Sequence, residues 1–165
     1  MVLMFLQYLK KKLASAGILY YSVLCYIICF IIRAPVHLIK HIFNLNDVKL
    51  SDNVYQKLVN PDTLIDTLLL APLLETLIFQ TLFFFLYKKY IYNRTIIVLL
   101  SSVSFAAIHY YSLFYIIDTF FIGIFFMYGY ILRARSDNKP FISTFTAHAF
   151  INLITMILLA IKIYI

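Results

Sequence analysis

Charge is the first scarcity in this sequence: only 13% of its residues are Asp, Glu, Lys or Arg, about half the share of a soluble domain. Hydrophobic residues make up 64%, and mean hydropathy is +0.92. Together these exclude a water-soluble globule and imply a polytopic membrane protein. No polar stretch is long enough for a second domain, so residues 1–165 read as one integral membrane domain. Cysteine is nearly absent. Cys25 and Cys29 lie one helical turn apart inside the first hydrophobic run, poorly placed for a disulfide, and read as small apolar residues. Acidic residues number seven against fourteen basic ones, giving a net charge of +7. Most of the basic residues flank hydrophobic runs, as topology signals do, and no basic or aromatic-interleaved patch suits a nucleic acid. The first apolar run is followed by no A-x-A cleavage site and is too long for a signal h-region, so it reads as a retained span. Internal repeats and low-complexity segments are also missing.

What is present in quantity is apolar sequence of membrane-spanning length. Crossing the hydrocarbon core takes about twenty apolar residues, and the segments 13–33, 64–87, 95–111, 112–132 and 141–162 meet or approach that. The fold class is therefore all-α: a polytopic membrane helix bundle of about five transmembrane helices. The third and fourth segments are nearly contiguous, which calls for a tight hairpin or an irregular turn shielded from lipid. Lys10–Lys12, then Lys88, Lys89 and Arg94, then Arg133, Arg135 and Lys139 fall on one side of a five-span chain. By the positive-inside rule the N-terminus is cytoplasmic and the C-terminus external, in the cell membrane. In the external loop 34–63, the residues from Pro35 to Asn44 pattern as an amphipathic interfacial helix. Its His37 and His41 have a metal-compatible spacing, but fit solvated histidines on a polar face.

Against that apolar background four polar side chains stand out: Glu75, His109, His148 and Asn152. A charged residue at a helix centre costs roughly 2.5–3.5 kcal/mol on insertion scales, so such residues mark function or helix pairing. Pro72, one turn before Glu75, removes an amide donor and is expected to free the carbonyl of Leu68. Phe105 and His109 share a helix face, as do His148 and Asn152, each pair at i, i+4. Counting helical rise from the basic clusters puts His148 at about 13 Å depth and His109 at about 22 Å. Asp118, near the external end of its segment, reads as solvated at the interface or bonded to a neighbouring helix, and Gly123 as a close helix contact.

The order Ala-Pro-x-x-Glu, Phe-x-x-x-His and His-x-x-x-Asn, at residues 71–80, 105–109 and 148–152, resembles the CPBP family. These are the CAAX-processing and bacteriocin-processing (Abi) intramembrane proteases, and residues 64–162 resemble their four-helix catalytic core. The resemblance implies that Glu75 is general base for a water, that His109 helps hold the water, and that His148 and Asn152 stabilise the oxyanion. The family's usual Glu-Glu-x-x-x-Arg carries Thr76 and Gln80 here in place of its second Glu and its Arg. They are expected to form a neutral, hydrogen-bonding pair that supports the site or the substrate, with Phe105 as a further supporting residue.

A zinc held by Glu75, His109 and His148 is the alternative to a metal-free site, but the H-E-x-x-H pattern is absent, and no cofactor is favoured. The expected function is an intramembrane endopeptidase with peptide or protein-tail substrates in the lipid bilayer. The rivals are a non-catalytic relative acting as a bacteriocin self-immunity protein or scaffold, and a proton-relay transporter. The last calls for inverted repeats that the sequence lacks.

Overall fold

The structure, a computed structural model, describes residues 2–43, 60–110 and 112–164. Among them there are helices and no strands: α1 (Val2–Ser15), α2 (Ile18–Ile42), α3 (Pro61–Ile91), α4 (Arg94–Ala107), α5 (Leu113–Arg135) and α6 (Pro140–Tyr164). Four of these, α2, α3, α5 and α6, are long and apolar enough to cross a membrane. Their outward faces carry exposed Leu19, Phe30, Leu69, Leu77, Phe85 and Leu158, a surface suited to lipid and unsuited to water. The chain is a multi-pass membrane protein.

Helix limits follow local chemistry more closely than hydropathy. α1 and α2 are separate, breaking at Ala16 and Gly17 inside the expected first span. The break is stabilised from a distance. The Arg133 Nη1 donates to the Leu13 and Ala16 carbonyls, both at 3.0 Å, and Asn138 Nδ2 donates to the Ala14 carbonyl at 2.9 Å. These bonds satisfy carbonyls that a helix end leaves without partners. At its other end α2 continues through Pro35 to Ile42, so the expected amphipathic segment is an extension of the span and not a separate helix. The side chain of His37 and residues 44–59 lie outside the described residues, so the His37–His41 reading stays with the sequence.

α3 starts at Asn60, whose side chain accepts from the Asp62 N–H, and ends where Tyr92 turns left-handed (φ 55°). Asn93 then caps α4 by accepting from Thr95 and Ile96 N–H. α4 stops at Ala107 and is shorter than the expected segment 95–111. At 1.5 Å per residue it covers roughly 21 Å, less than a full hydrocarbon thickness. Ser112 opens α5 by accepting from the Tyr115 N–H.

α5 is the central helix, with half of its apolar window buried against 18–22% for the other three spans. It packs on α1, α2, α4, α6 and parts of α3. Gly123 permits the approach of α4: a Cβ there would lie 3.0 Å from the Ser102 Cα. Asp118, buried, pairs with Arg33 of α2 through Oδ2 to Nη2 at 3.0 Å, so of its two sequence readings the helix-to-helix bond is the one formed. Cys25 and Cys29 are buried, unbridged core residues.

Candidate active site

α3 is not a uniform helix. It passes through three π-helical stretches, Asp66–Leu70, Thr76–Leu82 and Tyr87–Ile91, with the α-helical residues Ala71–Glu75 held between the first two. Glu75 therefore sits at a junction between winding types, in the kind of setting where π-turns accompany function. The Pro72 ring, fully buried, lies one turn before it. The bond spacing just upstream is five residues, Ala71 N–H donating to the Asp66 carbonyl, and in that register the acceptor left without its donor by Pro72 is the Thr67 carbonyl.

Three helices converge on the Glu75 carboxylate. His109 Nε2, just past the end of α4, lies 3.9 Å from Oε1, and His148 Nε2 on α6 lies 3.5 Å from Oε2. Both separations exceed a hydrogen bond. The difference in depth obtained by counting rise does not keep the two imidazoles apart. His109 Nδ1 is bonded to the Phe105 carbonyl one turn back, at 2.7 Å, which draws the ring back along α4. That bond also fixes its tautomer. A carbonyl only accepts, so Nδ1 carries the hydrogen, and in the neutral ring Nε2 presents a lone pair toward Glu75. Glu75 Oε2 and His148 Nδ1 are buried without a hydrogen-bond partner among the described residues.

Asn152 does not share that focus. Its Nδ2 donates to the Thr67 carbonyl at 2.9 Å, one helical turn along α6 from His148. Phe105 lies between the imidazoles, its ring centroid 4.6 Å from His109 and 5.8 Å from His148, and Phe79 meets its edge at 5.6 Å. Two neighbours escaped the sequence reading: Phe126, 4.9 Å from the His148 ring, and Tyr115, 5.6 Å from the His109 ring. Both belong to long apolar-aromatic runs in which no polar residue singles them out.

Thr76 and Gln80 are fully buried beneath the site, but the expected bond between them is not formed. Thr76 Oγ1 and both amide atoms of Gln80 find no partner among the described residues. In a π-turn the i+5 residue replaces i+4 as the backbone-bonded neighbour, and it is the Thr81 hydroxyl that reaches the Thr76 carbonyl, at 3.3 Å. As for a metal, among the described residues no group of three or more His, Cys, Asp or Glu side chains could hold one. His148 Nδ1 also lacks the second hydrogen bond that normally orients a metal-bound imidazole.

With this geometry established, comparison with known proteins gives a family. The model for "Type II CAAX prenyl endopeptidase Rce1-like" proteins matches residues 61–154, which include all of Glu75, His109, His148 and Asn152. The chain belongs to the Rce1-like family of CAAX-type intramembrane proteases. No curated protein and no solved structure matches it. The Rce1-like match begins at the first residue of α3 and ends within α6, so α1 and α2 lie outside it. Within the matched region α3, α4 and α6 bring the acid and both histidines together, and α5 supplies the wall behind them.

Proposed function

We propose that this Rce1-like protein is a metal-free intramembrane endopeptidase that hydrolyses peptide bonds in membrane-associated peptides or protein tails. The observation that carries the reading is the approach of two imidazole Nε2 atoms, from two different helices, to the two oxygens of one intramembrane carboxylate. Glu75 and the His109 Nε2 lone pair are both acceptors, so a water held by them has its hydrogens drawn away and its oxygen turned outward as nucleophile. Attack on the scissile carbonyl carbon passes the water proton to Glu75. The tetrahedral oxyanion is stabilised by the His148 Nε2–H. Collapse breaks the C–N bond as Glu75 returns its proton to the leaving amine, and a carboxylate and an amine are released.

On the same reading the N-terminus is cytoplasmic. The Arg133 bonds to α1 and the Arg135 Nη2 bond to the Tyr87 hydroxyl at 2.7 Å gather the ends of α1, α3 and α5. Exposed Lys12, Lys88, Lys89 and Lys139 join that end, and positive charge marks it as cytoplasmic.

The test is cleavage of a quenched-fluorescent peptide library by purified, detergent-solubilised protein, beside Glu75→Gln and with and without a chelator. Cleavage that survives chelation and drops by about 10²–10⁴-fold in Glu75→Gln is expected. Cleavage removed by chelation would overturn the metal-free chemistry. A folded wild type that cleaves nothing would favour a non-catalytic immunity or scaffold role, consistent with the partnerless Thr76 and Gln80.

A further inference from the structure

In the π-helical stretch that opens α3, each bond reaches back five residues, and the last one formed is Ala71 N–H to the Asp66 carbonyl. The next donor in that register is residue 72, and its acceptor is the Thr67 carbonyl. Residue 72 is proline and has no N–H. The Thr67 carbonyl instead accepts from Asn152 Nδ2, on a different helix, at 2.9 Å.

We propose that Asn152 substitutes for the backbone donor that Pro72 lacks, and that this bond is the clamp that sets α3 against α6 and so fixes the distance from Glu75 to His148. The assignment of Asn152 as a positioning residue rests on the protease reading above; the clamp itself does not. A carbonyl oxygen can only accept, which fixes the amide's orientation, with its nitrogen toward α3. His148 and Asn152 are four residues apart on α6 and share a face. Thr67 and Glu75 lie on the same helix either side of Pro72. The two pairs are thus adjacent rungs between the same two helices. One is a direct bond, and the other is the 3.5 Å approach of His148 to the carboxylate.

The arrangement makes a specific double-substitution prediction, because alanine at residue 72 restores the missing N–H and suits a helix interior. Asn152→Ala alone is expected to lower kcat by about ten- to a hundredfold with KM little changed, through misplacement of the catalytic pair. It should also lower the thermal unfolding midpoint in detergent by about 2–4 °C. In the Pro72→Ala background, where an N–H at residue 72 can reach the Thr67 carbonyl in the five-residue register, the same substitution should leave the midpoint almost unchanged. Asn152→Asp, which keeps the shape but turns an acceptor on a carbonyl, should lower the midpoint at least as far as alanine, again only when Pro72 is present. An equal loss of midpoint in both backgrounds would overturn the clamp. If the wild type cleaves no peptide, the protease reading falls, and the thermal cycle alone still decides whether the clamp exists.

Discussion

Phe105 shows how much of this site rests on a residue that does no chemistry. It is 2% exposed, its carbonyl orients His109, and its ring touches both imidazoles as well as Phe79 and Phe126. The backbone bond survives any substitution, but the packing does not. Phe105→Ala should cost about 3–5 kcal/mol of stability, as large-to-small aromatic changes in cores do. Phe105→Leu should lose less stability, yet still let the imidazoles drift. Measured by thermal unfolding and peptide cleavage, leucine should therefore separate the two effects, with activity falling more than stability. Leucine as active as wild type would show that the ring does not position the histidines. Glu75, His109 and His148 were legible in the sequence because each is polar where lipid-facing helices are apolar. Phe126 and Tyr115 were not, because an aromatic among aromatics carries no mark of what it will touch.

Among the helices, α5 and α6 kept close to their expected segments, and α3 kept its expected extent but not its expected winding. Periodicity assumes one kind of turn, and α3 uses two. The carbonyl that Asn152 takes is that of Thr67, five residues before Pro72, and the expected Thr76–Gln80 bond is not formed within the second π-helical stretch. Both π-helical stretches flanking Glu75 carry a carbonyl taken by another helix, that of Thr67 by Asn152 and that of Phe79 by the Ser101 hydroxyl at 2.6 Å. The α4–α5 contact was more readable, since a glycine inside a span signals close approach. Gly123→Ala would press a methyl toward the Ser102 backbone, 3.0 Å away, and push α4 outward with His109 at its end. Overpacking of this kind costs about 1–3 kcal/mol. Thermal unfolding should show Gly123→Val to be worse than Gly123→Ala, with cleavage reduced in the same order. An unchanged midpoint in both would show that α4 and α5 can separate freely.

For the whole molecule, the least readable feature was where the basic residues are used. Arg133 belongs by sequence to a cytoplasmic charge cluster, but its side chain is fully buried. It donates to the carbonyls of Leu13, Ala16 and Asn138 and lies 4.5 Å over the Tyr21 ring. No carboxylate pairs with it among the described residues. Hydropathy and charge counting treat every Arg near a span end alike, and have no means of telling a topology signal from a helix cap in trans. A planar fork serving several carbonyls is a task lysine cannot copy. Arg133→Lys should therefore release α1 almost as fully as Arg133→Ala. Hydrogen exchange in detergent is expected to rise across residues 2–16 in both variants, with α5 itself still protected. Protection of α1 retained in Arg133→Ala would show that apolar packing alone holds it.

The Arg133 cap also has a consequence for the order in which the molecule is made. The carbonyls that it satisfies are separated from it by 117 and 120 residues, so α1 leaves the ribosome long before its cap exists. Until α5 has been synthesised and inserted, the junction between α1 and α2 has no lasting partner. The first helix of the chain is thus among the last to settle, and a nascent chain halted before residue 133 would hold it undocked.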